Sequence, residues 1–201
     1  MKKGTIIVLV IIGVILFLGI ILFGWVTRTY NSLVRQDETV NQAWAQVQNQ
    51  YQRRADLVPN LVEVVKGYAS HEREVFEKVA EARASVGNLQ VTPEILNDPQ
   101  LFEKFQQAQA SLSSWLSRLI AVAENYPQLK ANENFLQLQS QLEGTENRIA
   151  VERKRFNEVV QEYNIRVRTF PASIIAGILG FAQKQYFKAE PGAEQVPKVQ
   201  F

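Results

Sequence analysis

The 201-residue chain contains no cysteine and a single histidine, His71. The first absence excludes disulfides, zinc–thiolate sites and lipid attachment through a thiol. It leaves the redox compartment open, because a cysteine-free domain folds on either side of a membrane. The scarcity of histidine thins the catalytic menu further. A zincin needs two histidines four residues apart with a glutamate between them, and a di-metal carboxylate bundle needs Glu-x-x-His on two helices. His71-Glu72 supplies neither and reads as a surface or interfacial pair. No glycine-rich phosphate loop, nucleophile elbow or Ser/His/Asp set can be assembled. An excess of one charge is missing too: 22 Lys and Arg stand against 20 Asp and Glu, a net +2. That balance gives no case for nucleic-acid binding or for a polybasic membrane patch. No enzyme activity, metal or cofactor is expected.

What is present is an apolar run at residues 5–26, TIIVLVIIGVILFLGIILFGWV, free of any charged residue. As a helix its roughly 22 residues reach about 33 Å, enough to cross a hydrocarbon core of about 30 Å. Trp25 and Tyr30 sit near one end, where amphipathic rings suit the headgroup level. A cleaved signal peptide would have a shorter apolar core and a small-x-small cleavage site, so a retained membrane anchor is predicted. Lys2 and Lys3 before the run nearly balance Arg28 and Arg35 after it, so orientation is weakly specified. A short basic N-terminus favours an extracytoplasmic body.

Beyond the anchor the apolar residues follow a 3-4-3-4 rhythm. Tyr30, Leu33, Val40, Trp44, Val47, Tyr51 and Val58 lead into Leu61, Val65, Tyr68, Val75 and Val79, with Asp37, Arg54 and Glu72 as polar positions in the same seam. This near-3.5 period is the mark of helices packed at shallow angles. Pro59 interrupts the first stretch, where it removes a backbone donor and crowds the preceding turn. A break there leaves two helices comparable in length to the next one; a kinked long helix is the alternative. Asn97-Asp98-Pro99 starts a further helix that Pro127 stops, Asn132-Glu133 opens the last long one, and Phe170-Pro171 ends it. Residues 86–97, with Gly87, Asn88 and Pro93, read as a loop. Residues 173–187 are apolar but too short to span a bilayer, and are expected to dock on the bundle rather than lie at the membrane surface. Residues 188–201 read as a disordered tail.

Carboxylates are plentiful, but Glu146 and Glu152 lie six residues apart on one helix and cannot converge on a single site. Ion pairs explain them better, with Arg148 or Arg153 in the same helix or with Arg53 or Arg54 across helices. Asn31, Asn157 and Asn164 each follow an aromatic residue. Structural roles are expected for the asparagines: buried amides that fix helix register, or, as the alternative for Asn60 and Asn132, helix caps.

Several stretches together resemble the LemA family of bacterial membrane-anchored helical proteins. They are Tyr30-Asn31-x-Leu33-Val34, Ala43-Trp44, Arg53-Arg54-x-Asp56-Leu57-x-Pro59-Asn60-Leu61-Val62, Val65-Lys66-Gly67-Tyr68 and His71-Glu72. Further on come Glu124-x-Tyr126-Pro127-x-Leu129-Lys130-Ala131-Asn132-Glu133-Asn134-Phe135, Leu142-Glu143-x-Thr145-Glu146-Asn147-Arg148-Ile149-Ala150, Tyr163-Asn164 and Phe170-Pro171. Phe156 stands where the family usually has tyrosine, and residues 86–97 match nothing in it. The resemblance implies one N-terminal membrane helix, an antiparallel four-helix bundle with a break at Pro59, and no catalytic residues.

An all-α chain is therefore expected: a single transmembrane helix at 5–26, an antiparallel four-helix bundle at 28–170, an apolar segment at 171–187 and the tail. Its expected function is that of a non-enzymatic interaction or scaffold protein, anchored in the bacterial cell membrane. The alternative is an envelope sensor or adaptor that binds a small ligand and signals to a membrane partner. The bilayer is the expected partner of residues 5–26, with an envelope protein on the bundle and a homo-oligomer as a further option. The candidate interaction surface comprises Arg53, Arg54, Asp56, His71, Glu72, Lys130, Glu133, Glu146, Asn147 and Arg148.

Overall fold

A computed structural model of the chain describes residues 3–89 and 92–188; the expected tail beyond Lys188 lies outside the described residues. Its first element, α1 (Lys3–Tyr68), is a single helix of 66 residues, about 99 Å long. The apolar stretch at its N-terminal end is long and apolar enough to cross a membrane, and none of its described residues is buried by the rest of the chain. The body begins where that stretch ends, with Trp25 and Val26 already partly covered.

The expected break at Pro59 is not there: Pro59 lies inside α1, and the turn comes ten residues later, after Tyr68. Two features explain why the helix continues. A proline in a helix interior costs about 3 kcal/mol. Val58, Leu61 and Val65 lie on the stripe around it and are fully packed, and each such burial contributes about 1.5–3 kcal/mol. The second feature is local. Proline leaves the carbonyl of Ala55, four residues back, without its helical donor, and the Nε of Arg83 donates to that oxygen at 3.2 Å. Pro59 itself faces solvent, and Asn60 sits in mid-helix instead of capping one.

The turn after α1 leads to α2 (Arg73–Gly87), which packs on α3 (Pro99–Ala123). Between them, a segment expected to be loop holds a 3-10 turn, Pro93–Asn97, that buries Ile95 and Leu96. Asp98 caps α3, its carboxylate accepting from the N–H groups of Gln100 and Leu101 at 2.8 and 3.1 Å. A short helix, α4 (Pro127–Lys130), precedes α5 (Glu133–Arg168), which Asn132 caps by accepting from Phe135 N–H at 3.0 Å. No strand occurs among the described residues.

The main contact is between α1 and α5. Tyr68 meets Asn132, Arg54 meets Glu146 and Trp44 meets Phe156. Each step down α1 is matched by an equal step up α5, so the two helices run antiparallel in one register. Two apolar clusters lie along this axis. The one nearer the apolar stretch joins residues 33–51 of α1 to Phe102 and Phe105 of α3 and to Ile149, Phe156, Val160 and Tyr163 of α5. The other joins Val58, Leu61 and Val65 to Phe76 and Val79 of α2, Leu112, Leu116 and Leu119 of α3, and Phe135 and Leu142 of α5.

The apolar C-terminal segment docks on the first cluster. Residues Ala172–Leu179 form a helix, α6, that buries Ile175 and Ala176. Gly180 stops it at φ +78°, a left-handed conformation that favours glycine. Residues 181–188 then run without helix or strand back along α5, and Phe187 enters an aromatic nest with Trp44, Phe102 and Phe156 at centroid distances of 5.9, 5.1 and 5.5 Å.

If Arg83 compensates for Pro59, the two positions must be coupled. Arg83→Ala is expected to cost about 0.5–1 kcal/mol in the native background and close to nothing in Pro59→Ala, where the Ala55 carbonyl regains its helical donor. A double-mutant cycle by chemical denaturation of the protein in micelles checks this.

Candidate functional site

Three polar assemblies stand out in the apolar packing. The central one is built on Arg54, which is 1% exposed. A guanidinium so placed is tolerated only when its donors are met, since desolvating an ion costs several kcal/mol. Nη1 donates to Glu146 Oε1 at 2.8 Å and to the Ser113 hydroxyl; Nη2 donates to the side-chain oxygen of Gln109 and to its backbone carbonyl at 3.3 Å. The Tyr51 ring lies 5.1 Å from the guanidinium carbon, while the buried Nε has no hydrogen-bond partner among the described residues. Arg54 follows Tyr51 of the first cluster and precedes Val58 of the second. In α3, Gln109 lies between Phe105 and Leu112; in α5, Glu146 lies between Leu142 and Ile149. The network is thus a polar layer between two apolar cores, with Arg54 from α1, Gln109 and Ser113 from α3 and Glu146 from α5. Shifting any helix by a turn would strand a buried charge, so the layer fixes axial register.

The second assembly holds the C-terminal segment. Asn164 accepts from the N–H of Lys184 and donates to its carbonyl, both at 2.9 Å. Asn157 does the same for Phe187, again at 2.9 Å. Seven helical residues rise about 10.5 Å, and three extended residues span about 10 Å. Two asparagines two turns apart therefore grip an extended strap at both its ends. Lys184 Nζ reaches Asp37 Oδ1 at 2.9 Å, and Arg153 covers the Phe187 ring at 4.7 Å. Burial, followed by the charge and hydrogen bond of Asp37, pushes the Tyr163 phenol well above its ordinary range, so it stays protonated.

The third lies at the end of the body far from the apolar stretch. Asn132 Nδ2 donates to the Tyr68 hydroxyl at 3.0 Å, and the Tyr126 hydroxyl donates to Glu72 at 3.4 Å. Here the turn after α1 meets α4 and the start of α5.

Of the residues expected to form one interaction surface, Arg54 is placed inside the body, and Glu146 is half-buried as its partner. Arg53, Asp56, Asn147 and Arg148 face solvent around that layer, Asp56 accepting from Gln52 and Arg148 donating to the carbonyl of Gly144 in its own helix. His71, Lys130 and Glu133 are exposed at the far end beside half-buried Glu72. The ten positions thus fall into two groups, one at mid-height and one at the tip. Sequence reading missed Gln109, Ser113, Lys184 and Arg83, whose residue types carry no pattern. The pair Asn157 and Asn164 did carry a signal in its seven-residue spacing. A cleft of about 310 Å³ opens beside the central layer, lined by Arg54, Gln109, Ser113, Glu146 and Arg153 among others. Among the described residues, no group of three or more His, Asp or Glu is placed to hold a metal ion.

This combination, an all-helical fold with a long apolar N-terminal helix, is that of a membrane-associated helical protein. Residues 43–201 match the LemA family, and the chain belongs to it. The chain is 25% identical to magnetosome protein MamQ 2 of Paramagnetospirillum magneticum, covering 93% of this chain and 73% of the relative. It is 24% identical to protein LemA of Metamycoplasma hominis, covering 87% and 75%. Magnetosome protein MamQ of Magnetospirillum gryphiswaldense is 25% identical over 82% of this chain and 66% of its own length.

Removing one partner from the central layer tests the desolvation argument. Arg54→Ala is expected to cost about 3–5 kcal/mol, because it strands Gln109 and Glu146 and opens a hole. Glu146→Gln is expected to cost about 1 kcal/mol, since that side chain is 39% exposed and its amide still accepts a hydrogen bond. Denaturant titrations followed by circular dichroism separate the two.

Proposed function

We propose that the protein is a non-enzymatic scaffold, anchored by one membrane pass, that presents a helical body to another envelope protein. The observation that carries this reading is the continuity of α1. The helix that would cross the bilayer is also the longest element of the body, so the body stands at a fixed height and angle to the membrane with no flexible linker between. We read α1, α2, α3 and α5 as an antiparallel four-helix bundle, supported by the joint contribution of all four to the second apolar cluster. The short basic N-terminus supports an extracytoplasmic body. The relatives' names, magnetosome protein and LemA, specify no reaction.

The partner would engage the two exposed groups, Arg53, Asp56, Asn147 and Arg148 at mid-height and His71, Lys130 and Glu133 at the tip. A photo-crosslinking residue at each of these positions in intact cells is expected to capture one and the same protein from at least one group. A flexible glycine–serine insert after Arg28, which frees height and angle, should weaken that capture. No capture at any position, together with unchanged cell phenotypes after charge swaps, would sink the proposal. Protease accessibility in spheroplasts tests the side.

A second reading, a small-ligand sensor or adaptor, draws on the cleft beside Arg54, whose volume falls at the lower end for ligand sites. A ligand bound there would raise the melting temperature by mass action, and a library screen on the full chain in micelles decides the matter.

A further inference from the structure

The short helix α6 is apolar all round. Its sequence, ASIIAGIL, contains no charged residue. One stripe, Ala172, Ile175 and Ala176, is buried against α1 and α5. The opposite stripe is not. Ile174 is 53% and Ile178 77% exposed, and Phe170, just before the helix, is 76% exposed. A helix without a polar face belongs between two apolar surroundings, and the body supplies only one of them.

The place of this bare stripe on the molecule identifies the other. Phe181, immediately after α6, packs its ring on Tyr30 with centroids 6.0 Å apart. Trp25 and Val26 pack against the same cluster that takes in Ile175 and Ala176. The helix therefore sits beside α1 at the level where the uncharged run ends. Exposed arginines follow within about 14 Å of that level along the helices: Arg28 and Arg35 on α1, and Arg166 and Arg168 in the last turn of α5. None of the four forms an ion pair among the described residues. Glu38 and Glu162 are exposed nearby but lie farther along each helix from the apolar run than Arg35 and Arg166 do.

We propose that α6 is a second membrane contact, with Phe170, Ile174 and Ile178 set into the interfacial layer of the leaflet that α1 leaves and the four arginines against its anionic headgroups. The proposal rests on the reading that residues 5–26 span the bilayer. A second copy of the chain fits the stripe less well. Three side chains on a helix about 12 Å long offer far less than the roughly 1,200–2,000 Å² that stable protein interfaces bury. Insertion beside the span also gives the body a second point of attachment, which restrains its tilt relative to the membrane plane.

The absence of cysteine makes the test direct. The full chain, carrying one introduced cysteine and a fluorescent label at Ile174, Ile178, Asn147 or Leu16, is placed in vesicles containing lipids with a quencher near the headgroup or along the acyl chain. Quenching at Ile174→Cys and Ile178→Cys is expected to exceed that at Asn147→Cys by about twofold or more, and to rise when phosphatidylglycerol replaces part of the phosphatidylcholine. Leu16→Cys reports on the span itself. If it is quenched while positions 174 and 178 behave like 147, the present proposal is wrong and the anchor stands. If Leu16→Cys is not quenched either, both fail. Energy transfer between labels at 178 on different copies, without lipid quenching, would assign the stripe to self-association and overturn the proposal. Quenching that does not change with phosphatidylglycerol would overturn the part assigned to the arginines.

Discussion

The structure depends on one continuous helix, whose ladder of backbone hydrogen bonds is interrupted at Pro59 alone. From the apolar run to Tyr68, α1 carries every other element: α5 pairs along its length, α6 rests near its base and α4 near its tip. In lipid such a ladder is obligatory, because no water is present to satisfy a free backbone group. In the body it is optional, and Pro59 is where it nearly fails. The helix survives there because the apolar stripe on both sides is buried and because Arg83 takes the orphaned carbonyl of Ala55. A local defect is repaired by tertiary contacts, and the result is a rod continuous with the apolar stretch proposed to span the membrane, with no hinge between them.

Along this rod, polar groups decide alignment while apolar groups supply most of the stability. Trp44 and its aromatic neighbours would tolerate several packings, since aromatic pairs accept a range of offsets. Arg54 tolerates one, because only one register places Gln109, Ser113 and Glu146 around it. Asn157 and Asn164 act in the same way on the strap, measuring its extended backbone against two turns of α5. These groups hold a shape at some cost in stability, which suits a protein whose proposed use is to present that shape.

What could be read from the sequence was mostly local. Asp98 and Asn132 cap the helices that their surroundings predict, because a capping bond depends on three or four adjacent residues. The apolar run likewise declares itself by length alone. Pro59 misled because the energies that decide between break and continuation come from residues far away in the chain, those of α2, α3 and α5 that pack on Val58, Leu61 and Val65 above all, with Arg83 assisting. Arg54 and Glu146 were legible as partners by charge, but not as a buried pair, since burial is set by the cluster on each side. The ten surface candidates followed the density of distinctive motifs, which does not distinguish an exposed residue from a packed one. The strap was hidden for another reason: its fold is a backbone held by side-chain amides, and neither period 2 nor period 3.6 marks such a segment.

The most direct measurement of this account is the distance along α1 across Pro59. Spin labels at Arg28→Cys and Lys66→Cys, two exposed positions on the same helix, can be placed without removing any native thiol. In the reconstituted full chain, pulsed dipolar spectroscopy should give one narrow distribution centred at about 57 Å, the rise of 38 helical residues. A distribution that is broad, or centred well below about 45 Å, would mean that α1 bends back or flexes at Pro59. In that case the body is not held rigidly at the membrane.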